Sequence, residues 1–350
     1  MTPLKYISIA GAIFAISIAA FWGLFTLHLG HPWWNFHSNR EIWIAKRFIA
    51  SQTQGPTIWL QGGSATWFGY DSESIQSKTG YNVVNLGFNA SFPIDFMTEE
   101  IMRYAKPGDI AVLSLEYELL WKPKYNTYSV NELSIWNPDY FRSRSLSNKL
   151  SYLKKHSWRK ILASDLNRFT KALDIVDDNT FTLISDSDIQ SNLQQKWGKS
   201  YTDELPTFYN YLDCSPNGDY TYQEERQWDS GSDYELMEEH EVSNHAKNTL
   251  TDFAQWCQAN NITPCITWPS IALNPLLDLE ALQVINNLGH SQNTIETLGY
   301  QLLGTPFDFV ADISDFYDTN YHLTPKGREN RTRIFEDKLS TLLPNRPTPQ

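Results

Sequence analysis

Three short apolar runs, each followed by a turn or a helical pattern, constrain this chain more than any other feature. Thr57–Gln61 leads into Gly62-Gly63-Ser64 and a helical stretch through Ser77, which Gly80 ends. Asn82-Val83-Val84-Asn85-Leu86 comes next, then the amphipathic stretch Pro93–Ala105 and the turn Pro107-Gly108-Asp109. Ile110-Ala111-Val112-Leu113-Ser114-Leu115 lacks the polar alternation of a half-exposed strand and reads as fully buried. Short apolar strands alternating with helices predict an α/β fold whose parallel sheet is covered on both faces.

The rhythm breaks from about Trp121 to Glu238, where the chain is polar and rich in Tyr, Asn, Ser and Asp. Helical pieces are expected near Ser145–Lys171 and acidic turns near Tyr222–Tyr234. The stretch 122–240 is therefore assigned as an insertion or cap within one domain spanning 57–343. The α/β pattern resumes with a helix over Val242–Asn260, a strand at Thr263–Trp268 and helical stretches over Leu276–Leu298. A last strand near Phe307–Val310 and a terminal helix over Pro325–Leu343 complete it, with residues 344–350 as a tail. At 350 residues the chain has ample length for a large core.

Ahead of this domain, Tyr6–Leu29 contains no Asp, Glu, Lys or Arg. At about 1.5 Å per residue such a run crosses a hydrocarbon core of about 30 Å. Tyr6 and Trp33-Trp34 stand where interfacial aromatics belong. Thr26-Leu27-His28-Leu29-Gly30 is a poor cleavage site, so residues 6–29 are expected to be an uncleaved transmembrane anchor, with 30–56 as linker. Lys5 favours a cytoplasmic amino terminus, whereas Arg40, Lys46 and Arg47 oppose it. The expectation is a single-pass protein of the cytoplasmic membrane whose body faces the periplasm or the outside. A net charge of -12 argues against a nucleic-acid partner, which would need clustered Lys and Arg. Three cysteines, Cys214, Cys257 and Cys265, make no disulfide framework.

Sites on open parallel sheets form beyond the carboxyl ends of the strands. Ser64 follows the first strand, where two glycines allow a sharp turn and a helix start aims backbone N–H groups outward. A serine there either caps the helix or attacks a carbonyl while its own N–H holds the oxyanion. Gly87 and Asn89 follow the second strand, placing an N–H and an amide near the same position. His322, with Asp318 ahead of it, precedes Thr324-Pro325, an N-cap followed by proline at the first helical position. Such a histidine can take the serine proton and a carboxylate can orient it; the alternative is a helix-flanking surface histidine.

Gly62-Gly63-Ser64, Asn85-Leu86-Gly87 with Asn89, and Asp318…His322-Leu323-Thr324-Pro325-Lys326-Gly327 together resemble the block pattern of the SGNH (GDSL-like) hydrolase superfamily. More narrowly, the chain is similar to a membrane-anchored branch that includes alginate O-acetylation proteins and the D-alanyl transfer protein of teichoic acids. The resemblance covers about Thr57–Trp121 and Val242–Leu343. It implies a three-layer α/β/α sandwich of flavodoxin-like type, with Ser64 as nucleophile and His322 as base. Ser64 N–H, Gly87 and Asn89 would surround the oxyanion. Two departures stand out. The third block usually supplies Gly-x-Asn-Asp, whereas this chain reads Ser114-Leu115-Glu116-Tyr117-Glu118, leaving Asn89 as substitute and Glu116 as an accessory residue without a firm role. The acid usually sits three residues before the histidine, but position 319 is Thr; Asp318 is the nearest candidate and Asp315 a weaker one.

His240-Glu241-Val242-Ser243-Asn244-His245 is one residue longer than a zinc-protease H-E-x-x-H. Histidines five apart diverge by about 140° around a helix, so no metal is expected there. Gly62-Gly63-Ser64 lacks the lysine of a phosphate-binding loop, and no cofactor is expected. The expected function is an extracytoplasmic serine esterase or O-acyltransferase. It would work through an acyl-serine on an acylated cell-envelope or exported polysaccharide or a small ester. The resemblance adds a membrane-bound acyl-donating partner. The alternative, motivated by the unusual third block, is a catalytically silent scaffold that binds glycan or an envelope partner.

Overall fold

The computed structural model describes residues 3–30, 38–122, 127–155, 184–198, 209–221, 235–273 and 277–343, with isolated positions 159, 162, 166 and 170. It divides into two compact units, one from residues 1–37 and 125–183, the other from 38–124 and 184–350.

In the first unit, helix α1 (Pro3–His28) is the only described helix long and apolar enough to cross a membrane. Its serine and threonine hydroxyls are satisfied internally: Ser8, Ser17 and Thr26 donate to the carbonyls of Leu4, Ile13 and Trp22 at 2.9, 2.9 and 2.7 Å. That pattern removes the cost of exposing a hydroxyl to hydrocarbon. The unit also contains α7 (Thr127–Trp136), α8 (Pro138–Arg142) and α9 (Leu146–Lys155). Phe25 packs edge-on against Phe141, with ring centroids 4.7 Å apart.

The second unit is α/β. Strands β1 (Thr57–Gly62), β2 (Asn82–Asn85), β3 (Ile110–Ser114), β4 (Thr263–Ile266) and β6 (Gln301–Leu302) form a parallel sheet in the order β2-β1-β3-β4-β6. Every residue of β1 and β3 is buried. Because successive strand side chains point to opposite faces, burial of all of them explains why neither run alternates. The register pairs Leu60 with Asn85 on one side of β1 and Gly62 with Ser114 on the other. The chain leaves β1 for β2, then crosses back to β3, so strand order reverses beside β1. In open parallel sheets that reversal opens a crevice at the carboxyl ends.

Connecting β1 to β2 are α3 (Ser64–Trp67) and α4 (Ser72–Thr79), two helices where one run through Ser77 was expected. The break falls at Gly69, where a Cβ would stand 1.8 Å from Arg331 Nη1 and 2.2 Å from the Ala65 carbonyl oxygen. Gly80 closes α4 in the left-handed region at φ 70°, as its sequence position implied. Helix α5 (Ile94–Tyr104) leads to β3 and buries Ile94, Phe96, Met97 and Ile101. Helix α6 (Tyr117–Trp121) follows β3.

Part of the expected insertion belongs to this unit. Helix α10 (Asp186–Trp197) packs on α2 (Ser38–Gln52), Trp197 stacking on Phe48 at 6.1 Å. The loop 209–221 is tied to β2 and α3 by Asn85 N–H donating to the Asn217 carbonyl (2.8 Å) and Tyr220 N–H to that of Trp67 (3.1 Å). The acidic turns expected near Tyr222–Tyr234 lie outside the described residues.

Helix α11 (Asn244–Ala259) precedes β4, and α12 (Leu282–Thr297) precedes β6. A second, two-stranded parallel sheet pairs β5 (Ile271–Leu273) with β7 (Val310–Asp312). The strand expected at Phe307–Val310 is instead a 3₁₀ turn over Pro306–Phe309 running into β7. Asp308 accepts from the Thr305 N–H (2.6 Å) and hydroxyl (3.0 Å), a capping arrangement that favours the turn. Helix α13 (Pro325–Leu342) starts as its sequence implied, with Thr324 Oγ1 accepting from the Gly327 N–H at 3.2 Å and proline at the first helical position.

Candidate functional site

Ser64 stands just beyond the carboxyl end of β1, where the strand order reverses. Gly63, not Ser64, is the N-cap of α3, so the serine hydroxyl is not committed to capping. The turn is sterically tight: a Cβ at Gly62 would lie 2.0 Å from the Ser114 carbonyl oxygen, and one at Gly63 would lie 2.4 Å from Glu116 Oε1. Only glycines fit this approach of β1 to the end of β3. Ser64 is half-buried, and its hydroxyl and N–H make no hydrogen bond among the described residues. Its carbonyl accepts from the Phe68 N–H at 3.0 Å.

Glu116 is fully buried under this turn. Its carboxylate accepts from the Gly63 N–H at 2.9 Å and the Ala65 N–H at 2.8 Å, bracketing Ser64 on both sides. Burial pushes its carboxyl up to about 7, against the pull of those two N–H groups. On the same turn, the buried Arg331 guanidinium donates to the Ala65 carbonyl (2.9 Å), Ser114 Oγ (2.7 Å), the Tyr70 hydroxyl (3.0 Å) and the Trp268 carbonyl (3.0 Å). One side chain of α13 thereby ties together the ends of β1, β3 and β4.

His322 is buried, its ring lying flat on Phe68 with centroids 4.1 Å apart and planes 8° from parallel. Phe68 is one helical turn beyond Ser64, so the histidine loop and the serine turn meet although 258 positions separate them. The loop is fastened by Tyr317 N–H donating to the His322 carbonyl (2.7 Å). Thr319 Oγ1 accepts from the His322 N–H at 3.2 Å. Asp318 Oδ1 lies 2.7 Å from His322 Nδ1. Burial raises Asp318, but hydrogen bonds from His322 and Tyr209 outweigh it and hold the carboxyl below its ordinary value. Asp315 is engaged elsewhere, 3.3 Å from Lys326 Nζ.

The other two expected oxyanion donors have partners of their own. The Gly87 N–H donates to Asn85 Oδ1 at 2.8 Å and is thereby occupied. Asn89 is half-buried; its Oδ1 accepts from the Ser91 N–H (2.8 Å), and its amide nitrogen is 3.4 Å from Asn39 Oδ1. Asn85 is fixed in turn by donating to the Thr66 carbonyl (2.9 Å) and to Asp219 Oδ1 (2.8 Å). In the segment His240–His245, His240 lies outside the helix that carries His245 and stacks on Trp121 at 4.3 Å.

The sequence reading missed Tyr209. This residue of the expected insertion donates its hydroxyl to Asp318 Oδ2 and lies 3.1 Å from His322 Nδ1. Its one sequence signal is membership of a Tyr-rich stretch, which does not distinguish it from its neighbours. Asp219 and Arg331 were also missed, since a charge pattern does not reveal burial.

No family model matches the chain, and no curated protein matches its sequence.

Proposed function

We propose that this protein is a membrane-anchored serine esterase or O-acyltransferase of SGNH type, with a three-layer core and its body outside the cytoplasmic membrane. The observation that carries the reading is the Asp318–His322 pair, its imidazole stacked on Phe68, one turn from a serine whose hydroxyl and N–H have no hydrogen-bond partner among the described residues. In this reading Ser64 Oγ attacks an acyl carbonyl while His322 Nε2 takes its proton, and Asp318 stabilises the imidazolium. The Ser64 N–H, at the start of α3, donates to the oxyanion, with the Asn89 amide as second donor. His322 then protonates the departing alcohol, leaving acyl-Ser64. Water or a sugar hydroxyl, deprotonated by His322, attacks the acyl carbon and releases Ser64. An acylated envelope glycan fits an anchored enzyme of this kind.

One observation favours the scaffold alternative: Gly87 N–H is already occupied and Glu116 fills the third-block position, which leaves fewer oxyanion donors. Labelling with a fluorophosphonate probe separates the two readings. The enzyme reading expects labelling of the full-length chain that disappears in Ser64→Ala and falls to a similar level in His322→Ala, because the pair acts as a unit. Absence of labelling in the unaltered chain favours the scaffold.

A further inference from the structure

Tyr209 brings a side chain of the inserted region to the histidine. Tyr209 is the first described residue of the loop 209–221, away from the strand ends that supply Ser64 and His322. Its hydroxyl proton goes to Asp318 Oδ2, while Asp318 Oδ1 faces His322 Nδ1 at 2.7 Å. Both oxygens of the carboxylate are therefore used. The Tyr209 oxygen, its proton directed at Asp318, turns a lone pair toward Nδ1 at 3.1 Å. Nδ1 thus faces two acceptors and carries the ring proton, which leaves Nε2 bare.

Two further features fix this arrangement. The Tyr209 ring packs against Phe68 (5.8 Å) and Tyr220 (6.2 Å), so the tyrosine and histidine rest on the same phenylalanine. Its backbone is left-handed at φ 58°, a conformation that bulky residues seldom adopt. Burial and the Asp318 carboxylate both push the phenol up, so it stays a donor at neutral pH. Among the described residues, Tyr220 and Tyr317 are further titratable groups that act on it.

We infer that Tyr209 is a positioning residue: it orients Asp318 and holds His322 in the tautomer with Nδ1 protonated, making the base dependent on a residue of the inserted region. This rests on the Ser64–His322 reading for its consequence in catalysis, but not for the tautomer itself.

The test compares the full-length chain with Tyr209→Phe, which keeps the ring and removes one oxygen. With histidine labelled by ¹⁵N, the His322 ring nitrogens of the unaltered chain should show a protonated Nδ1 and a bare Nε2. In Tyr209→Phe the two shifts should move toward the averaged values of mixed tautomers. The fluorophosphonate labelling rate should fall about 2–10-fold, the rate equivalent of one net hydrogen bond. In an Asp318→Asn background the same substitution should cost little more, since the partner it orients has changed. Unchanged His322 shifts and labelling in Tyr209→Phe, or full additivity with Asp318→Asn, would overturn the inference. If the unaltered chain does not label, the catalytic reading fails, and the nitrogen shifts still decide the role of Tyr209.

Discussion

Glu116 shows how much one residue controls at this site. A carboxylate is an acceptor at both oxygens, and here each oxygen takes one N–H from either side of Ser64. Glutamine has the same shape but presents an NH₂ to one of those N–H groups. Glu116→Gln should therefore lower stability by about 1–3 kcal/mol, the cost of leaving a buried donor unpaired. The pH dependence has a definite sign. Folding raises the Glu116 carboxyl from 4.5 to about 7, so the folded state binds more protons between those values. Its contribution is fully present below about 4.5 and is lost as pH rises through about 7. Thermal midpoints across this window should decline with pH in the unaltered chain more than in Glu116→Gln. Equal slopes would show that Glu116 does not titrate there.

At the scale of elements, the serine turn is held from below by α13 as much as by its own strand. Arg331 supplies four hydrogen bonds to groups on the turn and at the ends of β3 and β4. Gly69 leaves the space through which its guanidinium reaches Ala65. Arg331→Met should cost at least about 1–3 kcal/mol, the scale for leaving a buried hydrogen-bonding group without its partner. Fluorophosphonate labelling of Ser64 should fall in the variant even at temperatures where it remains folded, because the turn loses its anchor. Retained labelling at such a temperature would mean that the turn is fixed by Glu116 and the glycines alone.

For the whole molecule, α1 is the element on which the proposed location of the chemistry rests. It leaves its side chains from Pro3 to Ala20 exposed, as expected of a helix meant for lipid. A reporter active only outside the cytoplasm, fused after Leu343, should be active. A signal from a cytoplasm-only reporter at the same position would reverse the proposed orientation and remove the case for an envelope substrate.

Local patterns carried most of the sheet unit. Unbroken apolar runs marked β1 and β3, Gly80 marked the end of α4, and Thr324-Pro325 marked the start of α13, because each is decided by neighbours within a few residues. The positions of Ser64, Asp318 and His322 at loop ends were legible for the same reason. What lay beyond reach was decided over distance. Strands β5 and β6 have three and two residues, too few for periodicity, and exist because a partner strand is beside them. Glu116, Arg331 and Tyr209 are polar side chains that read as surface until packing buries or half-buries them. Whether Gly87 N–H was free depended on the rotamer of Asn85, which Asp219, 134 positions away, holds in place. Sequence therefore determined which groups stand at the strand ends, whereas only the tertiary structure decided which of their hydrogen bonds were already spent.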